Sequence, residues 1–236
     1  MNLDLQLLRL LNSLVIDKGF CYHIASIFVS NAFLLGAPVF AALAFLSLSQ
    51  ISSLNKSKII LGYIGVAISV VLSVYCQTYL NIHIRPLFDH ALNLPKIVEW
   101  PTRAFGKRIY SLPSDTATLY FAICSIIFIQ NKKIGILCFT WIALTVGLSR
   151  VSLGAHYPSD ILAGLILGYS VVYTVTNIKS AQNQIQKLIV KYDTKSNIFN
   201  IIVVLFCAES YSQFSNLQPI YESLLHFISA PQGFIR

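Results

Sequence analysis

The chain has 236 residues, of which 56% are hydrophobic and only 11% charged, whereas an ordinary soluble domain is about 25% charged. That balance excludes a water-soluble globular domain and points to an integral membrane protein. The formal net charge of +8 raises nucleic acid as a partner, but the basic residues are scattered between apolar runs and form no tract, so none is expected.

Residues 3–15 place Leu7, Leu8, Leu11, Leu14 and Val15 on one helical face, with Asp4 and Arg9 interrupting the run. The segment is too short and too polar to span a bilayer and reads as an interfacial helix. The N-terminus shows neither the basic start nor the small-residue cleavage site of a removable signal peptide, so the first spanning helices are expected to direct insertion. Phe20 to Ser49 is a first span, long enough to cross with tilt, with Gly36 and Pro38 as the expected kink. A second span runs from about Ile59 to Ile82 and ends in Asn-Ile-His-Ile-Arg-Pro, so Arg85 and Pro86 emerge where the helix stops.

Residues 87–113 carry Asp89, His90, Lys96, Glu99, Arg103, Lys107 and Arg108 among prolines, a polar loop too long for a mere connector and plausible as a lid or collar. Leu112-Pro-Ser-Asp-Thr116 then opens a third span to about Gln130, with Ser114 placed as N-cap and Asp115 in the positively polarised first turn. A tight hairpin at Asn131-Lys-Lys133 leads to a fourth span, Ile134 to Leu148. After the polar stretch Ser149 to Asp160, Pro158 to Asn177 is the fifth. Residues 178–197 set Lys179, Lys187, Lys191 and Lys195 opposite Ile185, Leu188, Ile189 and Tyr192, an amphipathic helix suited to anionic lipid. Ile198 to about Phe214 is a weaker sixth span. The five cysteines, Cys21, Cys76, Cys124, Cys138 and Cys207, fall singly inside apolar segments and read as small buried hydrophobes.

Six crossings put Arg85, Ser114 and the stretch Arg150 to Asp160 on one side of the membrane. Lys56, Lys58, Lys132, Lys133, Lys179, Lys187, Lys191 and Lys195 gather on the other, with only Asp193 against them. The positive-inside tendency assigns that second side to the cytoplasm. The polar borders then face outward, toward the periplasm if the cell is bacterial.

Those borders define a chemistry. Pro158 opens a helix without wasting a backbone donor, so His156 is expected at or just before the first turn and Asp160, four residues on, beneath the imidazole. The carboxylate would hold one ring nitrogen as N–H and leave the other as an outward lone pair. Arg85, Arg150 and the backbone donors near Ser114 make an anion site that phosphate fits best. Histidine beside such a phosphate favours in-line attack and a phosphohistidine. No metal or other cofactor is implied, because the arginines do the neutralising and no carboxylate-rich cluster with metal spacing is present. His83 and His90 read as ordinary loop histidines.

Over residues 20–178 this pattern resembles the type 2 phosphatidic acid phosphatase superfamily of membrane-embedded lipid phosphatases. Its third motif, Ser-Arg, five residues, His, three residues, Asp, is present in full as Ser149, Arg150, His156 and Asp160. Its first, a lysine, six residues and Arg-Pro, is half present as Arg85-Pro86. Its second, Pro-Ser-Gly-His, matches at Pro113 and Ser114. The resemblance implies an all-α, six-helix membrane bundle in a plasma or inner membrane. It implies His156 as nucleophile, Asp160 as its orienting partner, and Arg85, Ser114, Ser149 and Arg150 as phosphate ligands, with Thr78, Asp115 and Thr116 expected in the same substrate-binding site. One membrane domain over 1–236 is expected: an interfacial helix at 1–18, a catalytic core at 20–177, a basic amphipathic helix at 178–197, a sixth span at 198–214 and a tail at 215–236.

Two departures bear on substrate. Thr78 stands where the family has its lysine, and Thr116 where it has a second histidine that protonates the leaving oxygen. Threonine does not titrate near neutrality, and losing a general acid costs about a hundredfold to ten-thousandfold. A leaving alkoxide needs that proton; a leaving phosphate, with a second ionisation near pH 6, does not. The departure favours a polyprenyl diphosphate over a lipid monophosphate, with Asp115 as a substitute acid if burial raises its pKa. A lipid phosphotransferase passing phosphate to a glycan or lipid hydroxyl, and a catalytically degenerate binder of anionic lipid, are the alternatives.

Overall fold

The computed structural model describes residues 3–48, 52–94, 109–192 and 198–211. The described chain is all-helical, apart from one isolated antiparallel bridge between Ile84 and Tyr110. Helices α1 (Leu3–Ser13), α2 (Phe20–Ser30) and α3 (Ala32–Leu48) lead into α4 (Ser53–Tyr75), which continues as a π turn over Cys76–Leu80. Next come α5 (Asp115–Gln130) and α6 (Lys132–Ile142), followed by a second π turn, Ala143–Gly147, and the short α7 (Leu148–Ser152). Helices α8 (Pro158–Thr176), α9 (Lys179–Tyr192) and α10 (Ile198–Tyr211) complete the series. Most of the polar loop expected at 87–113, and the tail beyond 211, lie outside the described residues.

Helix α5 is the axis of the bundle. It is apolar all round, and every residue from Thr116 to Ile127 is buried, as expected of a helix enclosed on all sides. Leu35, Val39 and Leu43 of α3, Tyr63, Val66 and Val70 of α4, Ile142 of α6, Val172 of α8 and Val203 of α10 share its core. The outer surface is apolar as well: Leu137 is 70% exposed, Leu162 57% and Leu205 63%. A packed interior under an apolar surface is what lipid, rather than water, as the outer solvent requires.

Among the described residues three helices are long and apolar enough to cross a membrane, namely Ser53–Leu80, Lys132–Ser152 and Pro158–Thr176, and a fourth span results if the bent pair α2–α3 counts as one. Helix α5 and the described part of α10 are apolar but shorter. The expected kink in the first span is misplaced by the sequence reading. The axes meet at 53° at the junction of α2 and α3, near Asn31, whose backbone N–H caps α2 on Ile27 and whose side chain accepts the Leu34 N–H at 3.1 Å. One residue satisfies both helix ends, so the break leaves few orphan groups. Pro38 sits inside a continuous α3, and Gly36 lies where a Cβ would meet the Phe40 and Tyr120 rings.

Helices α5 and α8 approach closely through Gly164 and Gly168. A Cβ on Gly164 would come within 3.0 Å of the Ser114 carbonyl, and one on Gly168 within 2.7 Å of the Thr118 carbonyl. Small residues four apart let two backbones touch, and here they bring the N-termini of both helices to the same end of the bundle. Helix α1 also ends up there. Leu8, fully buried, packs with Val151 and Tyr157, and both carboxylate oxygens of Asp4 accept from Ser159, at 2.9 Å from its N–H and 2.7 Å from its hydroxyl.

Candidate active site

The segment from Ser149 to Asp160 is shaped by local rules. Helix α7 terminates at Gly154, whose φ of +74° is the left-handed conformation that glycine adopts without penalty. The reversal returns the N–H groups of Ala155 and His156 to the carbonyl of Arg150 at 2.9 and 3.3 Å. Arg150 and His156 are therefore fixed to each other through one oxygen. Pro158 then starts α8, and Asp160, at its third position, accepts the Tyr157 N–H at 2.9 Å. The same oxygen lies 3.4 Å from His156 Nδ1, the arrangement the spacing of four predicts.

Two other segments close on the far side of the ring. The Arg85 Nη1 is 2.9 Å and the Ser114 hydroxyl 3.3 Å from His156 Nε2. A guanidinium has no lone pair to offer, so Nε2 must be the acceptor; an ionised carboxylate can only accept, so Nδ1 carries the proton. The contacts thereby select one neutral tautomer. Burial, and then the neighbouring Arg85 charge, hold the His156 pKa below the ordinary histidine value, with Asp160 opposing them. Burial and the carboxylates of Asp89, Asp160 and Asp4 push the Tyr157 phenol up to about 12, so it stays neutral.

Arg85 is held in turn by the chain around it. Its backbone N–H reaches Ile109 at 2.9 Å, and its Nη2 donates to Gln77 Oε1 at 3.1 Å. Gln77, fully buried in the first π turn, donates its amide to the Pro113 carbonyl. This glutamine ties the first polar border to the second. Ser114 is the N-cap of α5, accepting from Ala117, and its N–H donates to the Asp160 carbonyl at 3.0 Å.

The remaining predicted residues divide. Arg150 is buried and stands within electrostatic reach of Asp115 and Tyr120. The Ser149 hydroxyl is turned back onto the Thr145 carbonyl of its own helix. Asp115 Oδ1 accepts the Thr116 N–H at 2.8 Å. With Ala117 N–H on Ser114 Oγ, two first-turn donors expected to be open to an anion are capped by side chains. Thr116 is buried at the start of α5. Thr78 is exposed, with its hydroxyl on the Val74 carbonyl, and the structure does not join it to the His156 cluster.

Sequence reasoning missed Gln77 and gave His83, a loop residue as expected, no partner. The His83 Nδ1 lies 3.5 Å from Asp160 Oδ1, and its ring lies 4.6 Å from that of Tyr157. His90 is the exposed loop residue expected. The only sequence signal for Gln77 was a polar side chain one residue before Thr78. Among the described residues no group of three or more His, Cys, Asp or Glu is arranged to hold a metal ion.

The arrangement presents a neutral imidazole with one oriented lone pair, next to a buried guanidinium and a hydroxyl, at the border of an apolar bundle. Comparison with known proteins places the chain in a family. The PAP2 superfamily model matches residues 65–184, just over half of the chain. A bacitracin transport permease protein, BcrC, of Bacillus licheniformis is 47% identical over 58 residues, covering 25% of this chain and 28% of that protein. Lipid A 1-phosphatases of Rhizobium etli and Rhizobium johnstonii are each 40% identical over 55 residues, covering 23% of this chain and 22% and 21% of theirs. The matched stretch is thus under a third of any of these relatives. No solved structure matches the chain.

Proposed function

This chain belongs to the PAP2 superfamily, and from that membership we propose that it is a membrane phosphatase acting on a polyprenyl diphosphate or a lipid phosphate through a phosphohistidine on His156. The observation that carries the reading is the fixed tautomer of His156, whose unprotonated Nε2 lies 2.9 Å from Arg85 and 3.3 Å from Ser114. When substrate enters, Arg85 and Ser114 exchange the ring nitrogen for phosphoryl oxygens, with Arg150 and Ser149 completing the cradle after their side chains turn. Nε2 forms a bond to phosphorus as the bond to the bridging oxygen breaks. Asp160 stabilises the imidazolium through Nδ1–H. Water then attacks phosphorus, the N–P bond breaks, and free phosphate leaves.

The lipid A phosphatase names among the relatives support a phosphorylated lipid as substrate. Thr116, at the start of α5, brings no titrating group to the leaving oxygen. This favours a diphosphate, whose leaving phosphate departs as a stable anion near neutrality. Asp115, the substitute acid expected if burial raised its pKa, is only half-buried and lies beside Arg150, a setting that favours the carboxylate and weakens that role. The site contains no metal in this reading.

The same reading places six crossings in a plasma or inner membrane, with α2–α3 as the first and α5 and α10 as the third and sixth, over a catalytic core at 20–177. The His156 end faces outward. Lys56, Lys132 and Lys133, and α9 with Lys179, Lys187 and Lys191, lie at the other end and face anionic lipid of the inner leaflet. Gln186 on α9 reaches Ser53 at the start of α4 at 3.0 Å, in support of one shared face.

Purified protein in detergent should release phosphate from farnesyl or undecaprenyl diphosphate faster than from phosphatidic acid, and His156→Ala should remove the activity. Equal rates for wild type and His156→Ala would remove His156 as nucleophile. Labelled phosphate appearing on an added hydroxyl acceptor instead of in solution would make the enzyme a phosphotransferase. Thr78 and Thr116 favour a second reading, a lipid binder that has lost turnover. Thr116→His separates the two: a gain of about a hundredfold or more on a lipid monophosphate marks a degenerate site, and a loss on the diphosphate marks one adapted to threonine.

A further inference from the structure

Asp160 is fully buried and receives donors from two separate parts of the chain. His156 Nδ1 and the Tyr157 N–H face Oδ2, at 3.4 and 2.9 Å. His83 Nδ1 faces Oδ1 at 3.5 Å, and the Ser111 hydroxyl donates to the His83 carbonyl at 3.2 Å. Because an ionised carboxylate accepts only, the nitrogen that each ring turns toward it is an N–H. Two imidazoles therefore share one carboxylate, through different oxygens. His83 is itself anchored: its carbonyl accepts the Ser111 N–H at 2.7 Å, and its ring packs on Tyr157. Arg85 lies two residues further along the same strand-like segment.

From this geometry we infer that His83 is a positioning residue, donating Nδ1–H to Asp160 so that the carboxylate keeps its other oxygen turned to His156. The inference rests on the reading of His156 as the nucleophile. A carboxylate held from both sides has one orientation available. Without the His83 donor, Asp160 can rotate toward Tyr157, and His156 loses the partner that keeps Nε2 aimed at phosphorus. In this role His83 does not touch the substrate; it acts through Asp160.

The test compares His83→Asn, which places an amide donor near the position of Nδ1, with His83→Gln, which places it near Nε2, and His83→Phe, which keeps a ring without a donor. Two quantities are measured on full-length protein in detergent. One is the rate at which diethyl pyrocarbonate modifies His156, mapped by mass spectrometry of the peptide containing it. The other is the pair kcat and KM on farnesyl diphosphate. His83→Asn should stay within about threefold of wild type in both. His83→Gln and His83→Phe should lower kcat about tenfold, the worth of one hydrogen bond to a charged group, with KM nearly unchanged, and should change the His156 modification rate severalfold.

If Phe and Gln leave both the modification rate and kcat at wild-type values, the inference is overturned. Equal losses for Asn and Phe would overturn it too, by showing that the ring serves packing. If wild-type protein hydrolyses no phosphorylated lipid while the modification rate still follows the Asn-against-Gln pattern, the phosphatase reading fails and the positioning of His156 stands.

Discussion

Arg85 and His156 lie 71 residues apart in the chain, and their side chains meet at 2.9 Å inside the bundle. The contact places a cation that cannot be neutralised against the imidazole nitrogen proposed to attack phosphorus, and so keeps that nitrogen unprotonated. Arg85 is also forked between His156 and Gln77, a task that a lysine ammonium on its flexible stem does not reproduce. Arg85→Lys should therefore lower kcat/KM for phosphate release by about tenfold to a hundredfold, the cost of one charged hydrogen bond. Wild-type kcat/KM in this variant would show that the fork is idle.

Gln77 and Thr78 make a paired comparison. Gln77→Leu removes both the acceptor for Arg85 and the donor to Pro113 while keeping similar bulk, and should cost about tenfold in kcat/KM. Thr78→Ala, which removes a hydroxyl bonded to its own helix, should stay within about twofold. The reverse ranking in steady-state assays would return the site role to Thr78.

The pH dependence follows from His156. Burial and the Arg85 charge lower its pKa from 6.5, so the reactive neutral ring survives below the pH at which a free histidine would be half protonated. Activity is then full above 6.5 and is lost as the pH falls through the lowered value, as is the ring's contribution to stability, because the unfolded chain binds that proton more readily. The acid limb of kcat/KM, which reports the free enzyme, should lie below 6.5. A limb above that value contradicts the assignment.

Asp4 caps α8 from another helix, through the N–H and hydroxyl of Ser159. Asp4→Ala should cost about 0.5–2 kcal/mol, as loss of an N-cap does, and should raise hydrogen exchange across residues 153–160. Unchanged exchange there would mean that α1 does not hold the His156 segment.

Gly168→Ala puts a Cβ 2.7 Å from the Thr118 carbonyl and 2.9 Å from the Ala122 nitrogen. Both are backbone atoms that cannot turn aside, so α8 must move from α5. About 1–3 kcal/mol of stability should be lost, together with activity, since the same contact sets the distance between Ser114 and His156. Thermal unfolding in detergent, read beside the rate, checks both; a variant as stable and active as wild type would show that the two helices are not in this register.

What the sequence determined by itself is local or compositional. The hydropathy runs specify apolar helices, and the order Ser149, Arg150, Gly154, His156, Pro158, Asp160 builds the reversal and the helix start within a dozen residues, so the His156–Asp160 pair was legible before any fold. Ser114 as the N-cap of α5 was legible for the same reason. Only the tertiary structure decided that Gln77 rather than Thr78 reaches Arg85, that His83 sits on Asp160, and that Asp4 caps α8. These contacts span 8, 77 and 155 residues. Hydrophobic periodicity tells which face of a helix is buried but not which distant residue it will meet. A π turn such as Cys76–Leu80 also changes the angular step per residue, so counting back from Arg85 by the family spacing lands on Thr78, one position away from the side chain that points inward.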